Sequence, residues 1–311
     1  MGTPEFAVPA LEELNKKYEI LSVYTQPDRP KGRGLSLQYP PVKVKALELG
    51  LSVEQPDRLS SAKEIEKIKN LKPDLIVVAA YGQILKQEIL DIPRFGCINI
   101  HSSLLPRWRG AAPIHWALLA GDLVTGITIM KMALKLDAGN ILLQREIQIS
   151  KTDTYISLHD RLSQLGGELV VQALQLVSDQ KITEKIQDES LATYAKKLTK
   201  EMSEMDPSES IFEIDLKIRA LNPWPGAYVQ IEGLGSLKIL TSDEPDQGKK
   251  GNNQLVSDSG NLFLLTKTGC LKLTEIQLPG KPKMKPVDFI NGLKGRSITL
   301  PLDILKWPKK T

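Results

Sequence analysis

The sequence predicts an α/β protein, an open parallel sheet followed by a small β-barrel of the OB type. Three observations carry this expectation. In the first half, short apolar β-type runs alternate with amphipathic helical segments, the pattern of parallel βαβ units. Beyond residue 207, five short alternating segments are separated by Gly, Asn and Asp turns, as in a small barrel. The chain is 311 residues long, more than the ~250 at which single cores usually stop growing, so two domains are expected.

The elements follow in order. Pro4 to Leu14 carries apolar residues at helical spacing, with Thr3 placed to cap and Pro4 suited to the first helical position. Strands are predicted at Glu19 to Thr25, Asp74 to Ala80, Cys97 to His101 and Thr125 to Met132, and helices at Pro113 to Leu119 and Tyr155 to Leu176. An α/β domain normally opens with a strand that feeds its first turn, whereas this chain opens at the turn. The expectation is therefore an Ile/Val-rich strand upstream of Met1, lost to a start codon assigned too late. Asp188 to Pro207 is polar and charged, so a boundary is placed there: residues 1–187 form the first domain, 188–206 a linker or short helix, and 207–311 the second. Ile211 to Leu221 reads as a helix, and the runs starting at Ala227, Gly235, Asn252, Asn261 and Cys270 read as strands.

Composition narrows the function. Apolar residues make up 41% and charged residues 25% of the chain, ordinary values for a water-soluble protein, and no apolar run of twenty residues occurs. The N-terminal stretch has neither the basic and apolar regions of a secretory signal nor the arginine-rich look of a transit peptide, so a cytoplasmic address is expected. Cys97 and Cys270 are far apart, and with three histidines they form no ligand cluster, so neither a disulfide framework nor a metal is expected. Net charge is only +4, but its distribution is uneven. From Gln247 to Thr311 there are twelve Lys and Arg against four acids, a basic tail that suits either solvent or a polyanion. A second basic run lies in QPDRPKGRGLSLQYPPVKV, where Arg29, Lys31 and Arg33 cluster in a segment too rich in Pro, Gly and polar residues to be buried.

The chemistry concentrates in CINIHSSLLPRWRG, Cys97 to Gly110. A strand ending Asn99-Ile100-His101 points Asn99 and His101 to the same face, because side chains alternate with period two. In an open α/β sheet, ligands bind at the carboxyl ends of the strands, so two polar groups converge where chemistry is expected. Ser103, Leu104, Leu105 and Pro106 form a turn whose backbone groups could bond a planar ligand.

This run resembles the signature of the 10-formyltetrahydrofolate-dependent formyltransferases. The resemblance implies a Rossmann-like sheet, a catalytic group of Asn99, His101 and Asp137, and a folate held against Ser103 to Pro106. GTPEFA, TQPDRPKGRG, PPVKV, VVAAYGQIL, HSSLLPRWRGAAPI, TGITIMKM, LDAGNIL and NPWPGA occur in order over nearly the whole chain and resemble the branch of that family that acts on methionyl-tRNA. Ser102 stands where the family commonly has glycine, and His115 and Trp116 depart from residues often seen after the GAAPI run. The implied partners are 10-formyltetrahydrofolate as co-substrate and initiator methionyl-tRNA, with no metal, no membrane and a monomeric enzyme. The methionine amine would attack the formyl carbon while His101 and Asn99 donate hydrogen bonds to the developing oxyanion. Asp137 would keep His101 charged and orient the group that loses its proton. In the same reading Lys31 and Arg33 bring the acceptor end of the tRNA to the site, and Lys281, Lys283 and Lys285 contact phosphates. A sister enzyme acting on an amino-sugar nucleotide would share Asn99, His101 and Asp137. A non-catalytic RNA-binding protein would explain the basic runs but leave those three residues idle. A nicotinamide-dependent oxidoreductase is disfavoured because no G-x-G-x-x-G turn follows a strand.

Overall fold

The computed structural model describes residues 1–31, 36–206, 208–294 and 300–305, with the side chains of Lys31 and Ser36 outside that description. The chain divides into two compact units. The first comprises Met1–Pro113, Val124–Gln148 and Ser157–Ala195, and the second Ile114–Leu123, Ile149–Ile156 and Lys196–Thr311.

In chain order the elements up to Ala195 are α1 (Val8–Asn15), β1 (Val23–Tyr24), β2 (Arg29–Lys31), β3 (Ser36–Gln38), α2 (Pro41–Glu48), β4 (Val53–Glu54), α3 (Ala62–Leu71), β5 (Ile76–Val78), α4 (Gln87–Leu90) and β6 (Cys97–His101). They continue with β7 (Arg109–Gly110), α5 (Pro113–Leu119), β8 (Val124–Lys131), β9 (Ile141–Gln148), α6 (Tyr155–Ser178) and β10 (Tyr194–Ala195). The sheet of the first unit is mixed rather than wholly parallel. Its order is β5-β6-β8-β9, with β5 and β6 parallel, but β8 antiparallel to both β6 and β9. The connection from β8 to β9 is too short for the crossover of a dozen or more residues that a parallel neighbour needs, so the strand turns straight back. A separate parallel pair joins β1 to β4.

Met1 and Gly2 bridge the two sheets. The Gly2 amide donates to the Tyr24 carbonyl at 2.9 Å, the Ala79 amide to the Met1 carbonyl at 2.9 Å, and the Met1 amine to the Val77 carbonyl at 2.7 Å. Beside this short bridge lies an apolar cleft of about 600 Å³ whose walls include Leu11, Leu14, Val23, Ile68, Ile76 and Leu174. Thr3 does not cap α1; its hydroxyl donates instead to the Tyr81 carbonyl at 2.8 Å, and the residue preceding the helix makes no side-chain cap.

Helix α6 lies close over the sheet at its paired glycines. A Cβ on Gly166 would stand 2.9 Å from Ile100 Cγ2, and one on Gly167 would stand 3.0 Å from the Pro9 backbone, so larger residues there would push the helix off α1 and β6. Residues 188–206, expected to be a linker, form short 3-10 turns at Glu189–Leu191 and Lys200–Ser203 and the strand β10, which pairs with β7; no α-helix forms among the described residues of this stretch.

The second unit is built on α7 (Ile211–Leu221), β11 (Tyr228–Ile231), β12 (Gly235–Ser242), β13 (Gln254–Asp258), β14 (Asn261–Leu265), β15 (Cys270–Gln277), α8 (Pro286–Lys294) and β16 (Leu302–Leu305). Ser210 begins α7 with a capping box, accepting from the Glu213 amide while Glu213 accepts from its own. The strands close into a barrel of order β11-β12-β15-β14-β13-β16. The five expected strands are present, and β16 is the sixth that closes the ring, so no long edge is left unpaired. Alternate residues such as Val229, Leu237, Leu262, Leu264 and Leu271 fill its core with α7 and α8 residues Ile214, Ile218 and Phe289.

Burial pushes the Met1 amine down from its ordinary 8.0 to about 5. In a chain that begins at Met1, the unfolded state takes up this proton below pH 8 and the folded state only below about 5. The group's contribution is therefore full above the unfolded value and is lost as pH falls from 8 to 5, by up to about 1.4 kcal/mol per unit. An apolar β-branched segment fused ahead of Met1 is expected to abolish that dependence and, by filling the cleft, to raise the melting temperature by several degrees. Thermal melts from pH 5 to 8 check it; a pH dependence that persists in the fusion would contradict the role of the Met1 amine, and a melting temperature that does not rise would show that the cleft does not accept the segment.

Candidate active site

Strand β6 ends at His101 and brings Asn99 and His101 to one face. His101 is 5% exposed. Asn99 is half-buried, and its carboxamide makes no hydrogen bond to the described residues. A half-buried amide on the same strand face as a buried imidazole gives two polar side chains able to hydrogen-bond one ligand.

The segment after β6 sets the imidazole. Ser103 is buried and its hydroxyl donates to the Arg107 carbonyl at 2.6 Å. Thr128 on β8 donates to the Ser103 carbonyl at 2.7 Å and accepts from the Leu105 amide at 3.1 Å. Gln144 on β9 donates to the Leu105 carbonyl at 2.9 Å and to the Thr128 hydroxyl at 2.8 Å. The Leu104 carbonyl accepts from the Arg107 amide and the Pro106 carbonyl from the Thr193 amide. Each carbonyl from Ser103 to Pro106 therefore already has a protein partner, and Leu105 points into a core with Met130 and Ile141. The turn is a rigid wall, and what it offers a planar ligand is its half-buried Leu104 and Pro106 surface and the second lone pairs of its carbonyls.

Trp108, at φ 64°, turns its carbonyl back to accept from His101 Nε2 at 2.9 Å. A carbonyl cannot donate, so this bond makes Nε2 the protonated nitrogen and leaves Nδ1 for other work. Nδ1 stands 3.7 Å from Asp137 Oδ2, too far for a hydrogen bond. The same Asp137 oxygen accepts from the Gly110 amide at 2.8 Å. Gly110 sits at φ 120°, and a Cβ there would fall 2.7 Å from the Ala195 carbonyl, so only glycine allows β7 to reach both β10 and Asp137.

Between these contacts the Arg109 side chain is fully buried. Its Nε and Nη2 donate to Gln187 Oε1 at 3.0 and 2.8 Å, and Nη1 and Nη2 form a fork on the Glu189 carboxylate at 3.1 and 3.0 Å. Hydrogen bonds from Arg109 first, and then Lys135, hold the Glu189 carboxyl at about 2, so it is ionised throughout the neutral range. Arg109, Thr128, Gln144 and Gln187 were not singled out from the sequence. Arg109 lies within the quoted PRWRG run, but nothing in that run distinguishes a buried arginine from an exposed one.

The other expected site residues lie elsewhere. Lys281, Lys283 and Lys285 are exposed on the loop between β15 and α8, with Lys283 paired to Glu275 at 3.1 Å. The backbone of Lys31 ends β2, and Arg33 lies outside the described residues. Both cysteines are buried, and burial pushes the Cys97 thiol up to about 12, consistent with packing roles. Among the described residues no group of three or more His, Cys, Asp and Glu could hold a metal, and no helix is long and apolar enough to cross a membrane.

Comparison with known proteins bears on this geometry. Residues 1–174 match the family model "Formyl transferase", and residues 197–294 match "Formyl transferase, C-terminal domain". The chain is 46% identical to the methionyl-tRNA formyltransferase of Marinobacter nauticus, covering 96% of each chain, and 46% identical to that of Bacillus subtilis, covering 94% and 93%. Among solved structures, the sugar 3N-formyltransferase WlaRD shares the fold with a TM-score of 0.67 at 19% identity over 90% of this chain and 97% of that one. HypX from Aquifex aeolicus, in complex with tetrahydrofolic acid, shares it with a TM-score of 0.60 at 18% identity, over 85% and 47%. At those identities the two structures speak for the fold alone.

The Thr128 hydroxyl makes three hydrogen bonds, two of them to the turn, so Thr128→Val should destabilise the protein by about 1–3 kcal/mol although it fills nearly the same volume. Urea denaturation checks this as a lower midpoint at unchanged slope; an unchanged midpoint would mean that the turn is held by other contacts.

Proposed function

Because this chain belongs to the formyltransferase family, in its methionyl-tRNA formyltransferase branch, we propose that Asn99, His101 and Asp137 are the centre at which it works. The reaction moves the formyl group of 10-formyltetrahydrofolate, its co-substrate, to the α-amino group of methionine on initiator tRNA, for translation initiation. The observation that supports this centre is the open Asn99 carboxamide on the same strand face as His101, whose Nδ1 faces Asp137 Oδ2 at 3.7 Å.

The roles follow from which groups remain uncommitted. The attacking amine, with an ordinary pKa near ~8, is partly neutral in the cell and needs no covalent enzyme intermediate. Negative charge grows on the formyl oxygen as the new C–N bond forms. Asn99 donates an N–H to that oxygen. His101 donates through Nδ1 when its ring is charged, because Nε2 is already given to Trp108. Asp137 lies on the Nδ1 side, where its carboxylate receives the proton that the amine sheds; the bond from the formyl carbon to N10 of the folate then breaks, N10 takes up one proton, and tetrahydrofolate leaves. The Leu104 and Pro106 surface would carry the planar part of the folate.

We further assign the first unit to folate binding and catalysis, and the barrel, with Lys281, Lys283 and Lys285, to the tRNA backbone. Lys31 and Arg33 would place the acceptor end. A monomer working in the cytoplasm, where charged tRNA is found, completes the reading.

Alanine at Asn99, His101 or Asp137 should each lower kcat by roughly 100- to 1000-fold while tRNA affinity stays near that of the parent, and any double variant should be little worse than the worse single one. Transfer to Met-tRNA, free methionine and an amino-sugar nucleotide, measured side by side, tests the substrate: preference for the sugar would overturn the reading. Neutralising Lys281, Lys283 and Lys285 should flatten the salt dependence of tRNA affinity by roughly one unit of log slope per contact. Arg33→Ala should instead lower turnover at saturating tRNA; parental turnover there would reduce Arg33 to a simple electrostatic contact.

A further inference from the structure

We infer that Gln187, oriented by the buried Arg109–Glu189 pair, is a positioning residue that holds Asp137 in the backbone conformation required for catalysis. The inference rests on the reading of Asp137 given above.

Asp137 has φ 48°, a left-handed conformation that Asp tolerates better than most residues with a Cβ and that its hydrogen bonds here hold in place. The surroundings here are specific. Gln187 Nε2 donates to the Asp137 carbonyl at 2.9 Å and to the Gly139 carbonyl at 2.8 Å, clamping the turn from both sides. The Gly110 amide holds the carboxylate of the same residue at 2.8 Å. Backbone and side chain of Asp137 are thus fixed by different partners, and both lead back to the Arg109-Gly110 strand.

Gln187 performs this task in only one of its two amide orientations. Arg109 has no acceptor, so its Nε and Nη2 require the oxygen of Gln187 to face them, which turns the NH2 group toward the two carbonyls. Arg109 is fixed in turn by its fork on Glu189, a planar two-point contact that a lysine could not reproduce. Gln187 is 5% exposed and Arg109 is fully buried, so water does not compete for these bonds. The chain of contacts runs from a half-exposed carboxylate at Glu189, through a buried guanidinium and one amide, to the carbonyl of a catalytic residue.

The test uses the full-length enzyme with 10-formyltetrahydrofolate and Met-tRNA, well below each variant's melting temperature. Gln187→Ala should lower kcat by about 10- to 100-fold, as expected for a displaced catalytic group, with both KM values within about twofold of the parent. Glu189→Gln, which keeps one oxygen to accept from Arg109 but removes the charge, should lower kcat in the same direction but less. In an Asp137→Ala background neither change should lower kcat further. A parental kcat in Gln187→Ala accompanied only by a lower melting temperature would overturn the inference, as would a further loss in the Asp137→Ala background. Should Gln187→Ala fail to fold, Glu189→Gln carries the same comparison, and a parental kcat there is equally contrary. A near-normal kcat for Asp137→Ala itself would sink the reading of the active site and this inference with it, a result distinct from failure of the Gln187 variants alone.

Discussion

The hydrogen bond from His101 Nε2 to the Trp108 carbonyl is the constraint on which the rest of the site depends. A β-strand can place an imidazole, but it cannot choose which nitrogen carries the proton. The choice is made seven residues later by a backbone carbonyl, and that carbonyl points the right way because Trp108 is left-handed and the Trp108 amide is bonded to the Thr193 hydroxyl. Two residues on, the amide of Gly110 holds Asp137 on the side of the ring's other nitrogen, Nδ1. One short strand thus sets both the tautomer of the histidine and the position of its carboxylate. The pairing of β7 with β10 and the turn anchored by Thr128 and Gln144 keep that strand in place.

A site built this way requires little of its surroundings electrostatically. Glu189 neutralises the buried Arg109, and the fork geometry satisfies four of the guanidinium's five N–H groups together with Gln187. Removing one partner would leave a buried charge uncompensated, which costs more than the pair contributes. Lys281, Lys283 and Lys285 lie on an exposed loop of the barrel.

How much of this was legible in the sequence depends on the range of the interaction. Asn99 and His101 were readable because strand alternation is local and the strand was strongly apolar. The helix from Ile211 and the barrel strands were readable for the same reason. The direction of β8 was not, because parallel and antiparallel strands share one local pattern and differ only in what they pair with. The strand β16 lay in a short run whose role becomes plain only once the ring needs closing. Residues 188–195 looked like a linker because their polar side chains, Glu189 above all, serve a partner about eighty positions earlier. Arg109 and Gln187 belong to that same class. Nothing near them in sequence says that the arginine is buried, and nothing but the fold brings the glutamine to the Asp137 carbonyl. The turn from Ser103 to Pro106 was expected to offer its backbone to a ligand; the partners its carbonyls already have, Thr128, Gln144, Arg107 and Thr193, are brought to it by the fold.

The central claim, that the Trp108 carbonyl sets the tautomer of His101 and leaves Nδ1 for the reaction, is open to direct measurement by nitrogen-15 NMR of the histidine rings, with His101→Gln used to assign the signals. The account predicts a His101 ring whose Nε2 carries a proton, slow to exchange with solvent and present at every pH at which the protein is folded, with any titration appearing on Nδ1. A neutral ring protonated on Nδ1 with a bare Nε2 would contradict it, because a lone pair would then face the carbonyl and the geometry derived for Asn99, His101 and Asp137 could not hold.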